Sequence, residues 1–139
     1  MYSTLPNFVL GFHGCDKNIG EDILAGRSKL LPSENSYDWL GHGIYFWENN
    51  PQRALDYANL IKNNPERNKK RINEPFVIGA IIDLGRCLNL METKSIEILK
   101  QGYNSLVESC RIAQFPPPQN HGLLKHLDCA VINTIHKFY

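Results

Sequence analysis

The sequence predicts an α+β fold, a small β-sheet with helices packed on it, and three observations carry that prediction. Short runs rich in aromatic and β-branched residues occur at residues 8–12, 44–47 and 76–83. Longer segments with apolar residues at helical spacing occupy residues 94–114 and 123–138. A length of 139 residues suits one domain, residues 1–139, large enough to bury a core.

Hydrophobic residues make up 42% of the chain and charged residues 21%, the balance of a soluble globular protein. A net charge of +1 argues against attachment to nucleic acid by bulk electrostatics, though not against a local basic patch. No apolar run approaches the ~18 residues of a membrane helix, and MYSTLPNFVLGF lacks the basic start and apolar stretch of a signal peptide. Cys15, Cys87, Cys110 and Cys129 form no C-x-x-C pair and lack the spacing of a disulfide scaffold. Reduced, mostly buried thiols in a cytoplasmic protein are expected, with no metal and no membrane association.

Taken in order, residues 8–12 read as a short buried strand that delivers His13 and Gly14 at its end. A short helix follows at residues 19–25, with Ile19, Ile23 and Leu24 as its apolar side and Gly26 as its stop. Residues 28–38 are polar, contain Pro32 and read as loop, either a pocket rim or a plain connection. Residues 39–48, WLGHGIYFWE, read as a glycine turn around His42 feeding an aromatic strand. Alternation along that strand puts Tyr45 and Trp47 on one face and His42, Ile44 and Phe46 on the other. G-x-G here is not a dinucleotide fingerprint, because the third glycine is absent and no helix follows directly.

Asn50-Pro51 is a helix start, an N-cap followed by proline. Ala54, Ala58 and Ile61 share one face of that helix, Tyr57 falls near it, and Arg53 and Lys62 face solvent. Residues 63–75 form a polar connection with a basic cluster at Arg67, Lys69, Lys70 and Arg71. It reads either as a solvated loop or as a patch for an acidic partner or nucleic acid, though without the interleaved aromatics that stack bases. Residues 76–83 are almost unbroken in apolarity, which predicts burial on both faces, and residues 87–90 continue as a second short strand. In residues 94–114 the apolar positions are Ile96, Leu99, Tyr103, Leu106 and Cys110, interrupted by Gly102. Prolines at 116–118 break the chain before a last helix over residues 123–138.

His13-Gly14 closing one strand, then G-H-G-I-Y-F at residues 41–46, then an apolar strand ending in Leu84-Gly85, occur in a telling order. That order resembles the poly(ADP-ribose) polymerase-like ADP-ribosyltransferases of the H-Y-E type, in their bacterial form. The resemblance covers residues 8–90 and implies a split antiparallel sheet with packed helices. It also implies NAD as substrate, with His13 bonding a ribose hydroxyl and the backbone of Gly14 holding the nicotinamide amide. Tyr45 and Tyr57 would stack on the nicotinamide ring, Tyr57 being offset by one residue from the family's second tyrosine. His13 and Tyr45 would be the catalytic residues, and His13, Gly14, Tyr45 and Tyr57 the NAD-binding set. Breaking the nicotinamide–ribose bond passes through an oxocarbenium-like state, so such a site must hold the amide, sandwich the ring, fix the ribose and place negative charge nearby.

The residues alone leave other roles open. His13 also fits a histidine closing a strand with one ring nitrogen hydrogen-bonded, and Cys15 with His13 or His42 would make a cysteine hydrolase if nucleophile and base lay within hydrogen-bond reach. The family places a glutamate on a later strand, and nothing beyond Ile132 reads as a strand carrying an acid. The domain is therefore expected to be partial at its C-terminus, leaving as carboxylates Glu48, at the start of the next helix, with Glu92, Glu97 and Glu108. The expectation is an NAD-dependent ADP-ribosyltransferase-like toxin, effector or defence protein that modifies an unidentified macromolecular acceptor, with weak transfer. The alternative is a catalytically inactive remnant that binds NAD or ADP-ribose. A sheet edge left open by missing strands would invite a partner chain or self-association.

Overall fold

The computed structural model describes residues 7–138. The chain forms two compact units that interleave in sequence: the described part of Met1–Leu30 with Tyr45–Cys87, and Leu31–Ile44 with the described part of Leu88–Tyr139.

The first unit is built on an antiparallel sheet of order β2-β1-β3. Strand β1 (Phe8–Asp16) pairs with β3 (Pro75–Asp83) over its full length, from Phe8 opposite Asp83 to Asp16 opposite Pro75. Strand β2 (Trp47–Glu48) pairs with the other side of β1, Gly11 opposite Glu48 and Phe12 opposite Trp47. Directly paired residues share a face. Val9, Gly11, His13 and Cys15 therefore lie on one face with Glu48, and Leu10, Phe12 and Gly14 on the other with Trp47.

A helix covers each face. Helix α1 (Lys17–Leu24) starts at Asp16, whose side chain caps it, and its buried Gly20 lies against Phe76 and Cys15 on the His13 face. Helix α2 (Pro51–Asn63) starts at Asn50, whose side-chain oxygen accepts from the Arg53 N–H at 3.0 Å, with Pro51 in the first turn. It lays Ala54 and Ala58 on the opposite face, over Gly14. Farther along, Ala58 and Ile61 close a small core with Ile72.

The second unit packs α3 (Thr93–Ile112) against α4 (His126–Ile135). Val131, Ile132 and Ile135 form its core, with Leu88, Ile98, Leu99, Leu106 and Leu127 around them. Gly102 is the contact point of α3, because a Cβ there would lie 2.5 Å from Ile135 Cγ1. The segment Leu31–Ile44 joins this unit through Gly41, which sits at φ +76° against Ile132, and through the His42 N–H, 2.8 Å from Asn133 Oδ1.

The α+β class and the small antiparallel sheet with packed helices agree with the sequence prediction. Several local expectations are corrected. Strand β1 runs on to Asp16, so His13 and Gly14 lie inside it rather than at its end. The aromatic strand shrinks to Trp47–Glu48, because residues 39–44 belong to the other unit. Burial of β3 on both faces fails at Ile81, which is 75% exposed. Residues 87–90 form no strand. In α1 Ile19 and Leu24 are exposed, because the helix approaches the sheet through Gly20. In α3 Ile96 and Tyr103 are exposed, since the side facing α4 is centred on Gly102, the residue that interrupts the apolar pattern. Cys15 and Cys129 are buried, Cys110 is half-buried and Cys87 is exposed.

Candidate functional site

His13, Gly14, Tyr45 and Tyr57 all fall in the first unit. His13 Nδ1 lies 2.7 Å from the Tyr45 carbonyl oxygen. A carbonyl only accepts, so Nδ1 carries the proton and Nε2 keeps its lone pair. Burial pulls the pKa of His13 below the ordinary imidazole value. The bond to the Tyr45 carbonyl opposes that shift, and the nearby charge of Lys70 adds to it. The ring is thus a neutral acceptor at pH 7. Its ring neighbour is Phe46, with centroids 5.6 Å apart and planes tilted by 53°.

Gly14 sits where the backbone changes partners. The Leu10 carbonyl accepts from the Asn49 N–H at 2.8 Å, so the even-numbered residues of β1 turn their N–H and C=O groups towards β2. The pairing of β2 with β1 covers only Gly11 and Phe12, so that ladder ends before it reaches Gly14. Gly14 therefore directs its N–H and C=O to a stretch of sheet edge beyond β2. Its α-carbon faces α2, where a Cβ would run into the Ala54 carbonyl oxygen and reach Ala58 Cβ at 3.2 Å. Only glycine permits that approach.

Tyr57 projects from α2, 39% exposed, with its ring against Trp47 at 4.9 Å between centroids. Trp47 shares the Phe12 face, so the Tyr57–Trp47 pair and the His13 side chain flank the sheet from opposite faces. Tyr45 is tied to His13 through its backbone carbonyl.

The carboxylates separate. Glu92, Glu97 and Glu108 belong to the second unit, where Glu108 is held by Arg111 at 2.6 Å. Glu48, expected at the start of a helix, lies instead in β2 opposite Gly11. That register puts it on the His13 face as a diagonal neighbour of His13. Trp47 and Glu48 thus join the site through strand register, which a single sequence does not display, and Phe46 through its ring contact with His13. The cysteine pairing gains nothing: Cys15 is buried, and burial and the Asp16 charge push its thiol up, away from the nucleophilic thiolate.

Among the described residues no group of three or more His, Cys, Asp or Glu is placed to hold a metal ion, and no helix is long and apolar enough to cross a membrane. No family model, no curated protein and no solved structure matches the chain.

Proposed function

We propose that the chain binds NAD as an ADP-ribosyltransferase-like protein, with the nicotinamide half seated at the sheet edge of Gly14. The observation that carries this is the bond from His13 Nδ1 to the Tyr45 carbonyl, which leaves the Nε2 lone pair to accept from a ribose hydroxyl. The carboxamide of nicotinamide has one donor side and one acceptor side, the complement of a backbone N–H and C=O, so it extends the ladder at Gly14. A ring docked edge-on there lies in the plane of the sheet. Groups on both faces then reach it: the Tyr57 ring from one side, and His13 with its neighbours from the other.

In this proposal Glu48 supplies the negative charge. When the glycosidic C–N bond breaks, its electron pair stays on the pyridine nitrogen and positive charge develops on the ribose. A carboxylate on the His13 face steadies that charge. Glu48 stands on an early strand, unlike the family's late glutamate, so slow turnover is expected. Calorimetry with NAD and a nicotinamide-release assay on monodisperse protein test the proposal. Binding with slow release that Glu48→Gln abolishes supports it. Binding without release leaves the inactive NAD-binding remnant, and a wild-type protein that ignores NAD refutes both.

A further inference from the structure

The loop between α2 and β3 carries four cations in five positions, Arg67, Lys69, Lys70 and Arg71, all exposed. Such a run is usually a solvated surface. Here it is pinned at the residues that follow it. Ile72 is buried against Ala58 and Ile61. The N–H groups of Asn73 and Glu74 donate to the buried carboxylate of Asp16 at 2.7 and 3.0 Å. The Lys17 N–H donates to the Glu74 carbonyl at 2.9 Å. The nearest acid in sequence after the run, Glu74, is already paired with Lys17 at 3.1 Å. Arg67, Lys69 and Arg71 form no ion pair among the described residues.

These anchors fix where the charges emerge. Asp16 lies three residues beyond His13 on β1, about 10 Å along an extended strand. The charge of Lys70 reaches the His13 ring. Lys62 and Arg71 line an open groove of about 420 Å³ together with Ile61, Pro65, Ile72 and Asn73. Ile61 comes one turn of α2 after Ala58, which lies over Gly14. Cations, groove and Gly14 therefore belong to the same unit, with the groove one turn of α2 beyond the residue that covers Gly14.

We propose that the loop 67–71 is the diphosphate-binding element of the site described above, with Lys70 and Arg71 as its main contacts and Lys62 across the groove. The inference rests on the NAD proposal, because a nicotinamide docked at Gly14 holds its diphosphate one ribose away, and that group carries two negative charges. Charge-assisted bonds from Lys and Arg are the ordinary partners of phosphate oxygens.

The experiment is calorimetry on the full chain and on the Lys70→Ala/Arg71→Ala variant, with NAD, ADP-ribose, inorganic diphosphate and nicotinamide riboside as probes at low and moderate salt. Both side chains are exposed, so the fold should persist, and thermal unfolding checks that. The expected result is at least a tenfold loss of affinity for NAD and ADP-ribose, a shallower salt dependence, and unchanged binding of the uncharged-tail probe nicotinamide riboside. Equal NAD affinity and salt dependence in both proteins would overturn the loop assignment while leaving the NAD proposal standing. Loop-dependent binding of ADP-ribose and diphosphate, with no binding of nicotinamide riboside, would support the loop and count against the nicotinamide pocket. A wild-type chain that binds no phosphate-bearing probe overturns the assignment.

Discussion

The His13 ring donates from Nδ1 to the Tyr45 carbonyl at 2.7 Å, joining β1 to the segment that enters β2. Nitrogen-detected NMR should therefore report the Nδ1–H tautomer at pH 7. The pKa of His13 is lowered in the fold. As pH drops below the ordinary imidazole value of about 6.5, the unfolded chain takes up a proton that the folded chain resists, so stability falls. NAD affinity should hold through that range and drop only as Nε2 itself becomes protonated and ceases to accept. A binding profile that titrates at the ordinary histidine pKa would remove His13 from the contact.

The resemblance gives the Tyr45 ring a stacking role, so Tyr45→Ala should weaken NAD binding more than Tyr45→Phe. Stacking resides in the ring, and the hydroxyl adds about 1 kcal/mol at most. The same comparison at Tyr57 should also show that Ala loses more than Phe. Equal losses for Ala and Phe at either position would show that the ring is not what the ligand touches.

Gly14→Ala should destabilise the first unit by about 3 kcal/mol, near the upper end for overpacking, because the new methyl meets the Ala54 backbone rather than a side chain that can swing away. Denaturant unfolding measures this. A neutral effect would mean that α2 lies farther from β1.

Asp16→Asn should cost about 2 kcal/mol, since a buried carboxylate accepting from Asn73, Glu74 and Asn18 N–H groups is replaced by a neutral amide with a single acceptor oxygen. The Glu74 and Asn73 bonds lower the Asp16 pKa, with Asn18 adding to them and burial opposing. Its stabilisation is therefore full above the unfolded value of about 3.9 and is lost as pH falls through the folded value. In acid the wild-type and Asn proteins should converge in stability, which a pair of acid-unfolding curves will test.

Gly102→Ala should destabilise the second unit even though alanine favours an isolated helix by about 1 kcal/mol. The added methyl would lie 2.5 Å from Ile135 Cγ1 and 2.9 Å from Cδ1, in a side chain that is itself buried. Combining it with Ile135→Ala should cost less than the sum of the two single changes. Strict additivity in that cycle would show that the two residues do not meet.

Much of the fold was legible because its signals are local. Asn50-Pro51 marks the start of α2, the Ala54/Ala58/Ile61 spacing marks its buried face, and the apolar run at residues 76–83 marks β3. The predicted site residues His13, Gly14, Tyr45 and Tyr57 were picked out by motif, and all four fall in one unit. Their neighbours were not legible. Glu48 stands just ahead of Asn-Pro, where an acidic residue fits a helix start, whereas its pairing with Gly11 makes it strand.

What the sequence by itself determined was the set of elements and the chemistry on offer, since propensity, capping and glycine or proline breaks act within a few residues. Tertiary structure alone decided which groups share a face and which unit each joins. The register of β1 against β2 put Glu48 beside His13 and Trp47 against Tyr57, because neighbouring strand residues point to opposite faces and a one-residue slip would reverse every assignment. Close approach likewise chose Gly14 and Gly102 as the seats of α2 and α4: an absent side chain leaves no mark in a hydrophobic pattern, yet it sets how near two backbones can come.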